Sequence, residues 1–148
     1  MDSSEAYNLQ RFLRAQEGVY DQVCDELRRG KKYGYWMWFI FPQIQGLGSS
    51  PTAQKFSILN EERALKYLRH PMLVARLTEC TKLVFAKRDN PPEVVFGFPD
   101  VLKFKSCMTL FELCTGSESL FSSVLDHHFA ENRCQFTTYK IGVSCGHV

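Results

Sequence analysis

Apolar residues recur at helical spacing along almost the whole chain. Leu9, Phe12 and Leu13, followed by Val19, Tyr20, Val23, Cys24 and Leu27, predict two N-terminal helices, with Gly18 as the break between them and Gly30 as the stop. Ser50 and Pro51 form an N-cap and first-turn pair that opens a helix through Lys55 and Ile58. A further helix from about Asn60 carries Ala64, Leu65 and Leu68, and His70 with Pro71 resets the chain into the next, which shows Leu73, Leu77, Cys80, Thr81 and Val84 on one face. Residues 89–92 (DNPP) are a loop, because two prolines after an asparagine forbid helix continuation. Residues 93–96 make a short helical turn. Asp100 then caps a helix with the apolar face Leu102, Phe104, Cys107, Met108, Phe111 and Cys114, ended by Gly116, and residues 119–129 form the last strong helix. After Ala130 the pattern fades, and residues 144–148 are expected to fray.

One segment breaks the helical rhythm. Residues 33–41 read YGYWMWFIF and hold both tryptophans of the chain and six aromatic residues. By composition the run is a buried strand. A strand needs partners, and only residues 94–96 and 137–143 are otherwise rich in β-formers, too little for a stable sheet. The run is therefore placed as a short buried element in an all-α, compact single-domain fold of about six to eight helices. The domain spans residues 1–148, with an ordered core over about 5–130.

Composition adds limits. With 148 residues, 45% hydrophobic and 23% charged, the chain is of an ordinary globular kind. Its longest apolar run, residues 36–41, falls far short of the roughly 20 residues that span a bilayer. The start, MDSSEAYNL, has no basic stretch leading into an apolar one, so no secretory signal is read and a cytosolic or nuclear location is expected. Six cysteines without a C-x-x-C pair are expected as free thiols. A net charge of +2 gives nucleic acid no basis as main partner. The local cluster Arg28, Arg29, Lys31 and Lys32 complements a helix C-terminus.

Chemistry concentrates in two places. In the first, Gly46, Gly48, Ser49, Ser50, Thr52 and Lys55 outline an anion cradle at a helix start, where backbone amides lack partners. Trp36 and Trp38 offer a wall for a flat ring, and Gln43 a polar edge contact; a turn with an ordinary cap, and rings that fill the core, are the plain alternative. In the second, Asp100, Lys103, Ser106 and Thr109 lie close along one helix, and an acid beside an amine can move protons. A capping aspartate with a surface ion pair is the plain reading there. The glycines match neither the Walker spacing nor the full dinucleotide fingerprint, so no cofactor is expected. His127 and His128 point about 100° apart, so no metal site is expected.

In order and spacing, the segments NLQRFLRAQ, YWMWFIFPQIQGLG, SPTAQKFSI, YLRHPMLVARLTEC and VFGFPDVLKFKSCMTLFE resemble the family catalogued as domain of unknown function 1810, some of whose bacterial members are labelled calpastatin without good reason. The resemblance covers roughly residues 8–129. It implies an essentially all-α single domain and carries no activity over. Family members commonly have a histidine where this chain has Tyr35, and G-x-x-D-x-x-T-L where it has ENRCQFTTY, which weakens a catalytic role at either place. LKFKSCMTLFELCTGSESL is more faintly similar to the NADAR family, whose members hydrolyse N-glycosidic bonds in ADP-ribose-type and riboflavin-pathway compounds.

The expectation is a small-molecule site for an anionic ligand. As an enzyme it would be an N-glycosidase-type hydrolase on a phosphorylated nucleoside or ADP-ribose-like compound, with Asp100 and Lys103 catalytic. The alternative is a non-catalytic ligand-binding or protein-interaction module.

Overall fold

The computed structural model describes residues 3–144, with side chains over 9–142. These residues form ten helices: α1 (Ser3–Gln16), α2 (Tyr20–Arg29), α3 (Met37–Ile40), α4 (Pro51–Lys55), α5 (Glu61–Arg69), α6 (Pro71–Ala86), α7 (Pro92–Phe96), α8 (Asp100–Thr115), α9 (Leu120–His128) and α10 (Gln135–Ser144). The fold is all-α as expected. The helix number exceeds the expected range because α3, a single turn inside the aromatic run, and α10, beyond Ala130 where the periodicity fades, are helical as well. Among the described residues the sheet-like contact is an isolated parallel bridge between Ile44 and Ile58.

Helix starts follow their sequence signals. Ser50 Oγ accepts from Ala53 N at 3.1 Å, Asn60 Oδ1 from Arg63 N at 3.0 Å and Ser119 Oγ from Ser122 N at 3.2 Å. His70 caps α6 through Nδ1, which accepts from Met72 N and Leu73 N. Asp100 departs from its expected role. The cap position of α8 is Pro99, which has no side-chain acceptor, and Asp100 is the first helical residue, its carboxylate turned to lysines.

Helix α8 is the axis of the core. Val101, Phe104 and residues 106–111 are buried, so it is enclosed on nearly every side by α3, α5, α7, α9 and α10. Leu102, assigned to its apolar face, is 49% exposed. The aromatic run enters this core as the single turn α3, with Trp36, Met37, Ile40 and Phe41 buried and Phe41 edge-on to Phe96 and Phe104, centroids 5.8 and 4.9 Å away. Its first rings stay outside: Tyr33 is 70% and Tyr35 87% exposed.

The segment after Ala130, where the periodicity fades, contains α10. Its β-formers are helical because Thr137 and Ile141 are buried in a helix that packs on α8, and packing overrides propensity. Residues 145–148, most of the stretch expected to fray, lie outside the described residues. The five described cysteines, Cys24, Cys80, Cys107, Cys114 and Cys134, are free thiols.

Candidate functional site

The loop after α2 is organised by a buried acid. Glu26 accepts hydrogen bonds from Tyr33 N at 2.7 Å, Gly34 N at 3.0 Å, Trp36 Nε1 at 3.0 Å and Gln22 Nε2 at 2.8 Å. Burial alone would raise its pKa, but the bonds from Gly34, Tyr33, Gln22 and Trp36 outweigh it and hold the carboxyl below its usual range. Lys32 extends this anchor. Its backbone N–H donates to Val95 O at 2.8 Å, and its ammonium meets Asp100 Oδ2 at 2.8 Å.

Asp100 also receives Lys103 Nζ at 2.9 Å. Burial would raise this acid too, yet the bonds from Lys32 and Lys103 lower it, so the carboxylate is ionised at neutral pH. The two ammonium groups lie 5.4 and 5.3 Å from ring centroids of Trp36 and Trp38 respectively. Four residues expected from sequence, Trp36, Trp38, Asp100 and Lys103, are thus joined in one cluster. With the ionised Glu26 beside Trp36, two cations face two carboxylates, so an anion would be held by ammonium N–H groups not spent on Asp100 rather than by an excess of charge. The ionised carboxylate can stabilise a developing cation or accept a proton.

One role in that cluster needs correction. Trp36 is 2% exposed, its nitrogen held by Glu26 and its ring under Lys32, so it anchors the loop and offers no stacking face. Trp38 is half-buried and retains some solvent-facing surface.

The other expected residues lie elsewhere. Helix α4 has five residues; Pro51 has no N–H, and the Ala53 amide is taken by Ser50, so the amides open to an anion are few. A side chain at Gly46 would meet Phe136 at 2.9 Å, and one at Gly48 would meet Ala53 Cβ at 2.5 Å. Both glycines are therefore required by close packing of the chain on itself. Ser49 O accepts from Gln54 Nε2 at 2.9 Å, and Thr52 is exposed. Gln43 is half-buried, and its carbonyl accepts from Ile58 N at 2.9 Å. Lys55 lines a separate cavity of about 260 Å³ with Arg11, Gln54, Ser57 and Arg63, where Arg11 Nε donates to Lys55 O at 2.6 Å.

Ser106 and Thr109 point to another part of the molecule and meet a residue that sequence reasoning missed. Cys134 immediately precedes α10, and its carbonyl accepts from Thr138 N. Thr109 Oγ1 accepts from Cys134 N at 3.0 Å; Ser106 Oγ and Thr137 Oγ1 donate to its sulfur at 3.3 and 3.2 Å. Burial would raise this thiol, but those hydroxyls and the amides of Thr137 and Phe136 lower it. A cavity of about 370 Å³ opens beside it, lined in part by Lys105, Ser106, Arg133 and Gln135. Arg133 holds the loop by bonding Glu112 at 3.0 and 2.5 Å and Asp126 at 2.9 Å. A cysteine at the start of the C-terminal segment was a possible cap signal, hidden because the apolar pattern there is weak. Among the described residues no group of three or more His, Cys, Asp or Glu side chains could hold a metal, and His127 and His128 pack on Phe85.

The site and fold together define a compact helical protein with ion clusters at both ends of one buried helix. The family model described as "Protein of unknown function (DUF1810)" matches residues 6–141, and the chain belongs to that family. It is similar to a solved structure, the conserved hypothetical protein Rv1873 from Mycobacterium tuberculosis, at 42% identity and a TM-score of 0.89, covering 93% of this chain and 98% of that one. Neither description names an activity. No curated protein matches the chain. Among the described residues no helix is long and apolar enough to cross a membrane.

Proposed function

We propose that the Lys32, Asp100 and Lys103 cluster is a binding site for a small anionic ligand with a flat ring, and that the chain acts on it as an N-glycosidase-type hydrolase of a phosphorylated nucleoside or ADP-ribose-like compound. The observation that carries this reading is one ionised carboxylate held between two ammonium groups next to Trp38. In such a hydrolysis the bond between the anomeric carbon and nitrogen breaks and the electron pair leaves with nitrogen. The sugar becomes cationic, water adds to its carbon, and the proton released ends on the departing nitrogen. Asp100, kept negative, would stabilise the sugar cation and orient the water, while Lys32 and Lys103 would hold the phosphate.

Thermal shift with ADP-ribose and nucleoside monophosphates, followed by chromatography of the products, tests it. The expected result is stabilisation and release of the free base, with Asp100→Asn lowering turnover by about 100-fold or more. A protein that neither shifts nor cleaves any of them removes the reading. A second reading, a non-catalytic binding or interaction module, is favoured by the fact that Asp100 already has two internal partners. Stabilisation without cleavage would select it.

A further inference from the structure

We infer that the cavity between α1, α4 and α5 is a second binding site, sharing no residue with the Asp100 cluster, and that it takes a small organic anion, a phosphate or carboxylate group on a short apolar body. Its volume is about 260 Å³, and its lining is of two kinds. Arg11 from α1, Lys55 from the end of α4 and Arg63 from α5 bring three cationic side chains, while Leu9, Ile58 and Leu59 make an apolar wall. None of the described residues that line it is acidic. Glu61 and Glu62, on the first turn of α5, lie outside the lining, and with both counted these cations still outnumber the acids by three to two.

The fold accounts for one of these cations. Arg11 Nε donates to Lys55 O at 2.6 Å and Nη2 donates to Ser57 O at 2.9 Å, which joins α1 to the segment after α4 and fixes the guanidinium at the cavity wall. That clamp requires neither of the other two. Arg63 is set on α5 by the helix cap, its backbone N–H donating to Asn60 Oδ1 at 3.0 Å, and the Lys55 side chain is exposed with its ammonium 5.3 Å from the Phe56 ring centroid. Like charges around one concavity repel one another and focus a positive potential into it, and an anion relieves both. Guanidinium and ammonium groups supply the several N–H donors that a phosphate or carboxylate accepts. Size and polarity limit the rest of the ligand. The cavity is just under the roughly 300–1,000 Å³ of sites for drug-sized molecules, so its occupant is small. The wall that contains Ile58, itself 3% exposed, favours an apolar body over a bare inorganic ion.

Calorimetric titration of the full chain with phenyl phosphate, benzoate and inorganic phosphate tests the site in the wild type, Lys55→Ala, Arg63→Gln and Lys103→Ala, with urea unfolding to check each variant. The Lys55 side chain is exposed, so Lys55→Ala is expected to fold and decides the case if Arg63→Gln does not. The expected result is that phenyl phosphate or benzoate binds more tightly than inorganic phosphate. Lys55→Ala and Arg63→Gln should each weaken that binding roughly 10-fold or more, while Lys103→Ala leaves it unchanged. The tighter of the two aromatic probes identifies the anionic group. Binding of none of the three overturns the site, and so does binding that a folded Lys55→Ala leaves intact. Binding lost in Lys103→Ala instead assigns the anion to the Asp100 cluster and also overturns it. Inorganic phosphate held as tightly as the aromatic anions overturns the apolar body.

Discussion

The two ends of α8 use charge in different ways. At its start, Asp100 takes two lysines and, through Lys32, fixes the loop of residues 31–35 against the α7–α8 turn. Near its end, Glu112 takes Arg133 and fixes the loop that leads into α10. In the first region every acid is filled by donors while the aromatic rings are left outside. In the second, Phe136 and Tyr139 are exposed too, at 38% and 67%, but a thiol is what faces a cavity. The same device, a carboxylate on or beside a buried helix clamping a loop, leaves exposed rings at one end and adds a cavity-facing, polarisable sulfur at the other.

Removing the acid that anchors the first region should have the largest effect. Glu26→Ala leaves the amides of Tyr33 and Gly34 and the indole N–H of Trp36 without their acceptor in a buried place, and the expected loss is about 3 kcal/mol in urea unfolding. The matching change in the second region is Arg133→Ala, expected to cost about 2 kcal/mol, because Glu112 is only 12% exposed and keeps no cationic partner there. Equal losses would show that the two clamps are equivalent.

Acid should separate the regions further. The Arg133 bonds hold Glu112 below its ordinary value of 4.5, and Glu26 and Asp100 are lowered as well. A lowered carboxyl favours folding above its unfolded pKa, so this stability is lost as pH falls from about 4.5 through the folded values. His128 acts earlier. Burial, then His127, lower it from 6.5, so the unfolded chain binds that proton first and stability begins to decline below about 6.5. Melting temperature against pH should show a shallow fall and then a steeper one, with part of the steep limb missing in Arg133→Ala.

A smaller difference concerns the thiols. Cys134 is lowered and half-exposed, whereas Cys24, Cys80 and Cys107 are buried and raised. Iodoacetamide at pH 7 should label Cys134 first among these four in a peptide map, and Ser106→Ala should slow it. The smallest effect is expected at Lys55→Ala, within about 0.5 kcal/mol, since its side chain is exposed.

Much of the fold was legible from residue pattern alone. The caps at Ser50, Asn60 and Ser119 and the buried stripe of Leu73, Leu77, Cys80, Thr81 and Val84 depend on neighbours one to four positions away, and such local rules are written in the chain. The motifs around YWMWFIFPQ and DVLKFKS point to the same family that the family model matches over residues 6–141. The candidate site was legible only in part. Asp100 and Lys103 are three apart on a helix, but Lys32 and Glu26, which give the cluster its charge and its anchor, come from another helix and loop.

What the tertiary structure decided is which face of each residue is spent on the fold. Spacing could not tell that Gly46 closes against Phe136, that Trp36 is shut in while Tyr35 stands outside, or that Thr109 and Ser106 hold Cys134. Each of these depends on contacts 10 to 90 positions apart, set by how α8 is wrapped by its neighbours. A single chain records its periodicity and its turns, because those are short-range energies. The partners of a buried charge or an open ring follow only once the core has closed.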